Sequence, residues 1–332
     1  MKKSPGVRHL LTLSGINTVH LTRLLWLPLA LWFVPSVCSA QDLTPRAYLI
    51  TPVHSNAITL TYSYFNGPFF FVPTLPIKDA TGNPQVGILS YYHSLNFFGR
   101  SANFTASLPY GFGHFQGEVF GTDRQVYRSG LLDAAFRFSV NLKGGPAMNG
   151  KEFMSWHQKW VIGTSFTMYV PTGQYDPAKL INQGTNRWSF KPEIGISRRW
   201  GHWVLDTYAG VWFFTTNNDY FSHNPLFNSD GTNTFSQKPI GAFEGHLSYD
   251  VKPRLWFSVD GNFWFGGRTV INGVQNPLTL QSNSRIGVTA SFPVTKRQSF
   301  KVSFNDGAYI RLGGDYRNVS IAWQYSWLGK RW

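Results

Sequence analysis

The sequence predicts an all-β chain that folds as a transmembrane, antiparallel, up-and-down β-barrel of about twelve strands. Two-faced strands recur along the chain, with apolar side chains at one parity and polar side chains at the other. Aromatic residues make up 17% and charged residues 14%, and globular domains have roughly 25% charged residues. After residue 40, no apolar run approaches the ~20 residues of a membrane-spanning helix. A barrel with a lipid-facing outside and a wet inside satisfies all three observations.

The first forty residues have the layout of a secretory signal. Four basic residues and no acidic residue accompany an apolar run over residues 24–34, and small residues follow up to Ala40. We expect cleavage between Ala40 and Gln41. A membrane anchor is disfavoured because a helix needs ~20 apolar residues to span a bilayer. Lipidation of Cys38 is disfavoured by the residues that precede it.

Cleavage would leave 292 residues, with 26 Lys and Arg against 16 Asp and Glu and a net charge of +10. The single cysteine, Cys38, would leave with the signal, so the mature chain would have no disulfide and no thiolate metal ligand. The basic residues are scattered over short turns, which argues against nucleic-acid binding. We expect the partners to be outer-membrane lipid and lipopolysaccharide, the barrel assembly machinery and a small-molecule solute.

The mature chain divides into a lead-in and a barrel. We expect residues 41–56 to be an extended periplasmic lead-in, too short for a folded plug, and residues 57–332 to form the barrel. In the barrel, short turns alternate with long loops, as in bacterial outer-membrane proteins. Because boundary predictions err by a few residues, ten or fourteen strands also fit the pattern. The predicted strands are residues 58–64, 87–97, 104–110, 132–142, 160–170, 187–200, 205–213, 243–251, 255–265, 286–292, 300–304 and 317–327.

Three of these segments carry specific predictions. In the last one, the odd positions from Val319 to Trp327 are apolar and the even ones are small and polar, and we expect this strand to close the barrel against residues 58–64. In residues 132–142, Asp133 and Arg137 must face inward, because an Arg at the lipid midplane costs roughly 2–4 kcal/mol. Pro192 cannot donate to a ladder, so its strand either starts later or contains a bulge.

Parity places a set of ionisable side chains of both signs inside the barrel. This set could be a paired network that fills and stiffens a narrow lumen, or a polar pathway that selects solutes by charge and width. Trp256, Trp264 and Tyr169 share the inward parity and could stack against aromatic solutes. The predicted lumen residues are Asp133, Arg137, Lys191, Glu193, Asp206, Glu244, His246, Asp250, Asp260, Arg285 and Lys301.

We expect no catalysis, no cofactor and no metal site. The seven histidines after residue 40 are isolated, and there is no zinc-protease motif, phosphate-binding loop or dinucleotide fingerprint. His246 and Ser248 are the nearest approach to a catalytic pair. Their parity points them into the barrel, whereas a lipid-cleaving enzyme needs its catalytic groups at the lipid face.

Six short segments resemble the family of outer-membrane transporters associated with the MetA (phenol meta-cleavage) pathway of phenol degradation. They occur in the expected order across nearly the whole mature chain. The resemblance implies an outer-membrane β-barrel that passes aromatic or other hydrophobic compounds, with no catalytic residues to carry over. The segments are residues 42–48, 108–110, 171–175, 184–188, 266–269 and 284–287.

The segments that carry the resemblance also allow predictions about single residues. Glycines at 184, 266 and 267 suit tight turns at strand ends. Arg187 and Arg268 would flank the outer rim, where they could bind lipid phosphate or carboxylate, or pair with loop acids. The chain continues past Trp327 to Trp332, so either residue could serve as the terminal aromatic of the assembly signal.

The favoured function is a passive outer-membrane channel for small compounds, with aromatic or hydrophobic compounds as candidates. The first alternative is a structural or binding barrel with a plugged lumen, such as an adhesin or receptor, and the second is an outer-membrane enzyme. The fatty-acid and toluene porins are a further candidate family, but residues 41–56 are too few to supply their folded hatch.

Overall fold

The computed structural model describes residues 43–70, 77–119, 121–179, 181–220 and 233–329. The predicted signal, its cleavage site at Ala40 and Gln41, and the terminal Trp332 lie outside these ranges. In the described part of the chain, no helix combines the length and the apolar character needed to cross a membrane.

Twelve antiparallel strands form the barrel wall, as predicted. Each strand pairs with its neighbours in sequence, and the last pairs with the first from Ser55 opposite Leu328 to Asn66 opposite Arg317. The closing contact between residues 317–327 and 58–64 is therefore confirmed. The wall strands are β1 (Ser55–Phe70), β2 (Gln85–Phe97), β3 (Arg100–Val119), β4 (Ala134–Lys143), β5 (Trp160–Val170), β6 (Ser189–Trp200), β7 (Trp203–Phe214), β8 (Ile240–Lys252), β9 (Leu255–Gly266), β10 (Gln281–Pro293), β11 (Gln298–Ile310) and β12 (Arg317–Leu328).

The two ends of the barrel differ in their connections. The turns after β2, β6, β8 and β10 are short and lie at the end where β1 begins, so this end is periplasmic by the rule for outer-membrane barrels. The opposite, outer end carries the long connections. Short strands extend its rim at Ile77–Gly82, Thr122–Leu131, Phe235–Gln237, Thr269–Ile271, Val274–Gln275 and Gly313–Gly314.

The outside of the wall is apolar because alternate side chains of every strand point outward. Phe243, Val259 and Ile286 are more than half exposed, and such exposure costs nothing against lipid hydrocarbon. Closure of the ladder leaves no unpaired strand edge in the hydrocarbon, which is the condition for crossing a bilayer with strands.

Two predicted strands differ in detail. The strand predicted over residues 132–142 begins at Ala134, and Asp133 lies in a break between β4 and the segment Thr122–Leu131. β6 runs through Pro192 instead of starting after it, but its pairing with β7 skips from Phe190 to Glu193. The missing proline N–H accounts for this interruption.

The periplasmic end contains the short helix α1 (Gly150–Ser155), between β4 and β5. Its N-terminus is closed by a capping box: the Asn149 side chain accepts from the backbone of Glu152 at 3.1 Å, and the Glu152 carboxylate accepts from the backbone of Asn149 at 2.7 Å. Just before the helix, the carbonyl of Met148 accepts from the backbone of Val53 at 2.8 Å. The helix connection is thereby tied to the chain that leads into β1.

Candidate functional site: the barrel interior

The chain before β1 lies inside the barrel. We call residues 43–54 the inner segment. We expected these residues to be a lead-in, and the structure packs them against inward side chains of β4 to β10. Tyr48 and Ile50 are 2% and 1% exposed, and they form an apolar cluster with Met148, Val161 and Tyr208. The barrel therefore has a filled region next to these strands.

Arg46 is the main polar anchor of the inner segment. Its guanidinium lies 2.8 Å from the Asp250 carboxylate, donates twice to the Ser248 hydroxyl at 3.1 and 3.0 Å, and stacks 4.4 Å above the Trp256 ring. Burial lowers the pKa of Arg46, and the Asp250 carboxylate opposes that change. Asp250 also lies 2.6 Å from Arg199, so one carboxylate joins the inner segment to two wall strands.

Tyr48 is held by both its hydroxyl and its ring. The hydroxyl donates to the Glu193 carboxylate at 3.0 Å and lies 3.2 Å from the Ser165 hydroxyl. The ring lies over Gly163 and Gly195, which are opposite each other on β5 and β6. A Cβ atom at either glycine would overlap the ring. The two glycines thus form a seat for the Tyr48 ring, and any larger residue at either position would occupy that space.

The backbone of Ala47 adds two more links to the wall. Its N–H donates to the Tyr208 hydroxyl at 3.0 Å, and its carbonyl accepts from the Arg137 guanidinium at 3.2 Å. At the start of the segment, a Cβ on Gly287 would contact Leu43. Side chains from six wall strands, β4 to β9, therefore hold residues 46–48.

Six of the predicted lumen residues form a continuous ionic chain. Arg137 lies 3.4 Å from Glu193, and Lys191 bridges Glu193 at 2.6 Å and Glu244 at 2.9 Å. His246 lies 3.6 Å from Glu244 and 2.9 Å from Asp260, whose other oxygen accepts from the Thr289 hydroxyl at 2.6 Å. Basic and acidic side chains alternate along the chain, so each buried ionisable group faces a partner.

The other five predicted lumen residues occupy separate places. Asp250 binds Arg46, as described above. Asp206 is 1% exposed on β7, and Arg285 is 3% exposed on β10, where it donates to the carbonyl of Tyr316 at 3.3 Å. Lys301 on β11 is opposite Ser291 and Ala322, which are buried inward residues. Asp133 belongs to the outer loops.

Asp133 ties together two of the segments that carry the family resemblance. Its carboxylate accepts from the backbone of Gly173 at 3.0 Å and from the backbone and hydroxyl of Thr185 at 3.0 and 2.6 Å. A Cβ on Gly173 or Gly184 would strike the backbone of the other. The loops 171–175 and 184–188 are therefore in backbone contact, with Asp133 as their common acceptor.

Arg187 reinforces the same outer loops. Its guanidinium donates to the Gln237 amide oxygen at 2.7 Å and lies 4.4 Å from the Phe214 ring and 5.0 Å from the Phe235 ring. Burial lowers the pKa of Arg187 to about 10, and the charge of Asp133 opposes this shift. The contacts are with an amide and two phenyl rings, not the loop acid that was one of the two expected partners.

The residues considered for stacking and catalysis are engaged within the protein. Trp256 contacts Arg46, and the Trp264 indole donates to Gln281 at 3.0 Å. The Tyr169 ring lies 5.6 Å from the Trp212 ring. His246 is bound to acids, whereas Ser248 accepts from Arg46. Within the described ranges, no group of three or more His, Cys, Asp or Glu side chains could hold a metal ion.

The opposite side of the interior is uncharged. We call the inward faces of β12, β1, β2 and β3 the neutral wall. Its hydroxyls pair across strands, with Ser63 2.7 Å from Ser320 and Ser90 2.7 Å from Ser107. Among the described residues of these four faces there is no charged side chain. The inward residues at mid-wall are Thr59, Thr61, Ser63, Ile88, Ser90, Tyr92, Thr105, Ser107, Ser320, Ala322 and Gln324.

Four largely buried residues were not predicted from the sequence. Arg46 and Tyr48 lie in a segment without periodicity, and their only signal was the resemblance over residues 42–48. Tyr208 shares the inward parity of Asp206 but is aromatic. Asp306 is buried although it shares the parity of the outward Phe304 and lies opposite the outward Ile286, so alternation alone does not mark it.

A family model matches residues 79–321, most of the chain. The chain belongs to the family described as "Putative MetA-pathway of phenol degradation". The family resemblance seen in the sequence is therefore confirmed. A comparison with curated proteins finds no match.

One solved outer membrane channel shows the same barrel fold, and two further structures are less similar. The crystal structure of the COG4313 outer membrane channel from Pseudomonas putida F1 has 16% identity, a TM-score of 0.68, and coverage of 86% of this chain and 100% of that one. The β domain of the Bordetella autotransporter BrkA has 10% identity and a TM-score of 0.47, covering 82% of this chain and all of its own. The CymD monoaromatic hydrocarbon channel has 7% identity and a TM-score of 0.40, covering 90% and 96%.

Proposed function

We propose that the protein is a passive channel for small compounds in the bacterial outer membrane. One observation carries the proposal: the inner segment lies mainly on the side of the barrel next to β4 to β10, and most hydroxyls of the neutral wall stay partly exposed inside a closed barrel. The inner segment reaches the neutral wall at its end, where the Thr51 hydroxyl lies 2.8 Å from the Tyr92 hydroxyl of β2. A polar inner surface with room beside it suits passage of solutes. The family description makes aromatic compounds the first solutes to test.

The outer and inner surfaces of the barrel also suggest its partners and argue against catalysis. The apolar outside would contact outer-membrane lipid and lipopolysaccharide, and a barrel of this kind would reach the membrane through the barrel assembly machinery. We propose no catalytic role, because His246 and Ser248 already serve other groups.

Reconstitution tests the channel directly. The processed protein is placed in liposomes and in planar bilayers, and its fold is checked by heat-dependent migration in a gel. We expect liposome swelling in small solutes and measurable ion current. Folded protein that gives neither swelling nor current would contradict the proposal. Uptake of a panel of aromatic carbon sources by a deletion strain then identifies the solute.

The plugged binding barrel is the second candidate, and the inner segment favours it. Arg46 and Tyr48 are tied to the wall by charge-assisted hydrogen bonds, which are stronger than neutral ones. Deletion of residues 43–50 separates the two functions. A receptor with a permanent plug is closed in the wild type and conducts only after the deletion, whereas a channel conducts in both forms.

A further inference from the structure

Burial divides the barrel interior into two sides. On the side of the inner segment, most inward residues of β4 to β10 are buried: Ser139 is 2% exposed, Ser258 is 4% exposed, and Ser248 is fully buried. On the neutral wall, most inward residues at the same depth keep an intermediate exposure, and Ser63 and Ala322 are the buried exceptions among the mid-wall residues. Since these side chains face the lumen of a closed barrel, their exposed area borders open space. The intermediate residues are Thr59, Thr61, Ile88, Ser90, Tyr92, Thr105, Ser107, Ser320 and Gln324.

The exposed side offers hydroxyls and no charges. Thr59, Thr61 and Ser90 follow one another across β1 and β2, and Ser320 continues the row on β12. The nearest inward charges stand at the two edges of the neutral wall, Arg137 on β4 and Lys301 on β11. Arg137 turns to Glu193 and to the inner segment. The wall between them presents only uncharged polar and apolar atoms.

The charges on the packed side are matched by each other. Lys191 lies between Glu193 and Glu244, and His246 lies between Glu244 and Asp260. An ion that enters a narrow lumen loses hydration and needs compensating charge or many aligned dipoles. Most charges of the packed side already have partners of opposite sign, and the neutral wall has none to offer. An uncharged solute needs no such compensation.

We propose that solutes cross the barrel off its axis, beside the inner segment and along the neutral wall, and that this path takes small uncharged molecules in preference to ions. The path is bounded by β12, β1, β2 and β3 on one side and by the inner segment on the other. This inference rests on the channel function proposed above and specifies its route and its solute class.

Single cysteines test the route. In the full chain carrying Cys38→Ser, one set of variants places cysteine on the neutral wall as Thr61→Cys, Ser90→Cys or Ser320→Cys. The matched set places it on the packed side as Ser139→Cys or Ser258→Cys, which are also inward and near-isosteric. A bulky uncharged maleimide is applied to the reconstituted proteins. We expect neutral-wall cysteines to react roughly tenfold faster, because enclosed thiols are inert.

Flux measurements connect labelling with transport. Liposome swelling is followed in a neutral sugar and in a salt of similar size, before and after labelling. We expect faster swelling in the sugar, a clear loss of swelling after labelling at the neutral wall, and no loss after treatment of the packed-side variants.

The outcomes separate the two proposals. Folded wild-type protein that passes neither sugar nor salt overturns the channel function. If the wild type passes solute but neutral-wall labelling leaves swelling unchanged, or if packed-side labelling blocks it, the route is wrong. If the salt enters as fast as the sugar, the preference for uncharged solutes is wrong.

Discussion

The two sides of the barrel interior obey the same strand geometry and differ in what covers them. On the neutral wall, alternation leaves hydroxyls paired across strands and partly open to the lumen. On the packed side, the same alternation points charges inward, where the inner segment and the neighbouring charges enclose them. Parity decides which side chains face inward, and a separate stretch of chain decides whether the space they face is filled.

The division also assigns different tasks to the two sides. Buried charges are costly unless each has a partner, and removal of one partner is strongly destabilising. Substitutions on the packed side should therefore be destabilising when they leave a buried charge without its partner. Hydroxyls beside open space can exchange a lost partner for water. Stability experiments should then separate the two sides, and the four that follow run from the largest expected effect to the smallest.

Replacement of Glu193 by Ala should have the largest effect. Glu193 accepts from Tyr48 and lies beside Arg137 and Lys191, and removal of one partner from a buried ionic group costs about 3–5 kcal/mol. The free energy of unfolding in denaturant measures the loss. Asp176→Ala removes a carboxylate from an exposed loop pair with Lys179 and should change nothing measurable. Equal stability of the two variants would contradict the conclusion that the charges of the packed side depend on their partners.

Replacement of Arg46 by Met should loosen the inner segment. The variant loses the contacts with Asp250 and Ser248, and hydrogen bonds to charged groups contribute about 1.5–3 kcal/mol. Asp250 keeps Arg199, so the loss should be smaller than for Glu193→Ala. Protease cleavage of the inner segment reports its release. Arg199→Met is the control, because it removes the other partner of the same carboxylate and should leave the segment protected.

Filling the seat of Tyr48 should cost less. Gly195→Ala places a methyl group against the ring, and overpacking costs about 1–3 kcal/mol. Gly245→Ala is the matched control, because Gly245 faces open space on the outside of β8. In a Tyr48→Ala background, the cost of Gly195→Ala should fall to what the remaining 2.9 Å approach to the Tyr208 ring causes, which a double-mutant cycle measures. An undiminished penalty in that background would place the cause outside the seat.

Removal of one neutral-wall hydroxyl should have the smallest effect. Ser63→Ala breaks the 2.7 Å contact with Ser320, and a neutral hydrogen bond contributes about 0.5–1.5 kcal/mol net. Ser320 is partly exposed, so water can replace the partner and the loss should lie at the low end. Denaturant midpoints of Ser63→Ala and wild type give the difference. A loss as large as that of Glu193→Ala would mean that this wall is packed as well.

The features that could be predicted from the sequence are those that depend on the alternation of apolar and polar residues along a strand. Pairing of residues 317–327 with 58–64 could be predicted, because one face of each strand must meet lipid and a one-residue slip would expose the other face. Contacts such as Tyr48 with Glu193 join residues 145 positions apart, and no local pattern encodes them. In the sequence, Asp133 continues the inward parity of β4. In the structure the strand begins only at Ala134, and the Asp133 carboxylate accepts hydrogen bonds from the outer loops.

The glycine seat has a consequence for the order of assembly. The inner segment precedes every wall strand in the chain, yet its contacts require Gly163 on β5, Gly195 on β6 and Asp250 on β8. These strands follow, in the chain, the segment that they hold. The final contacts of Arg46 and Tyr48 therefore exist only once distant strands of the wall stand side by side, whatever the order in which those strands assemble.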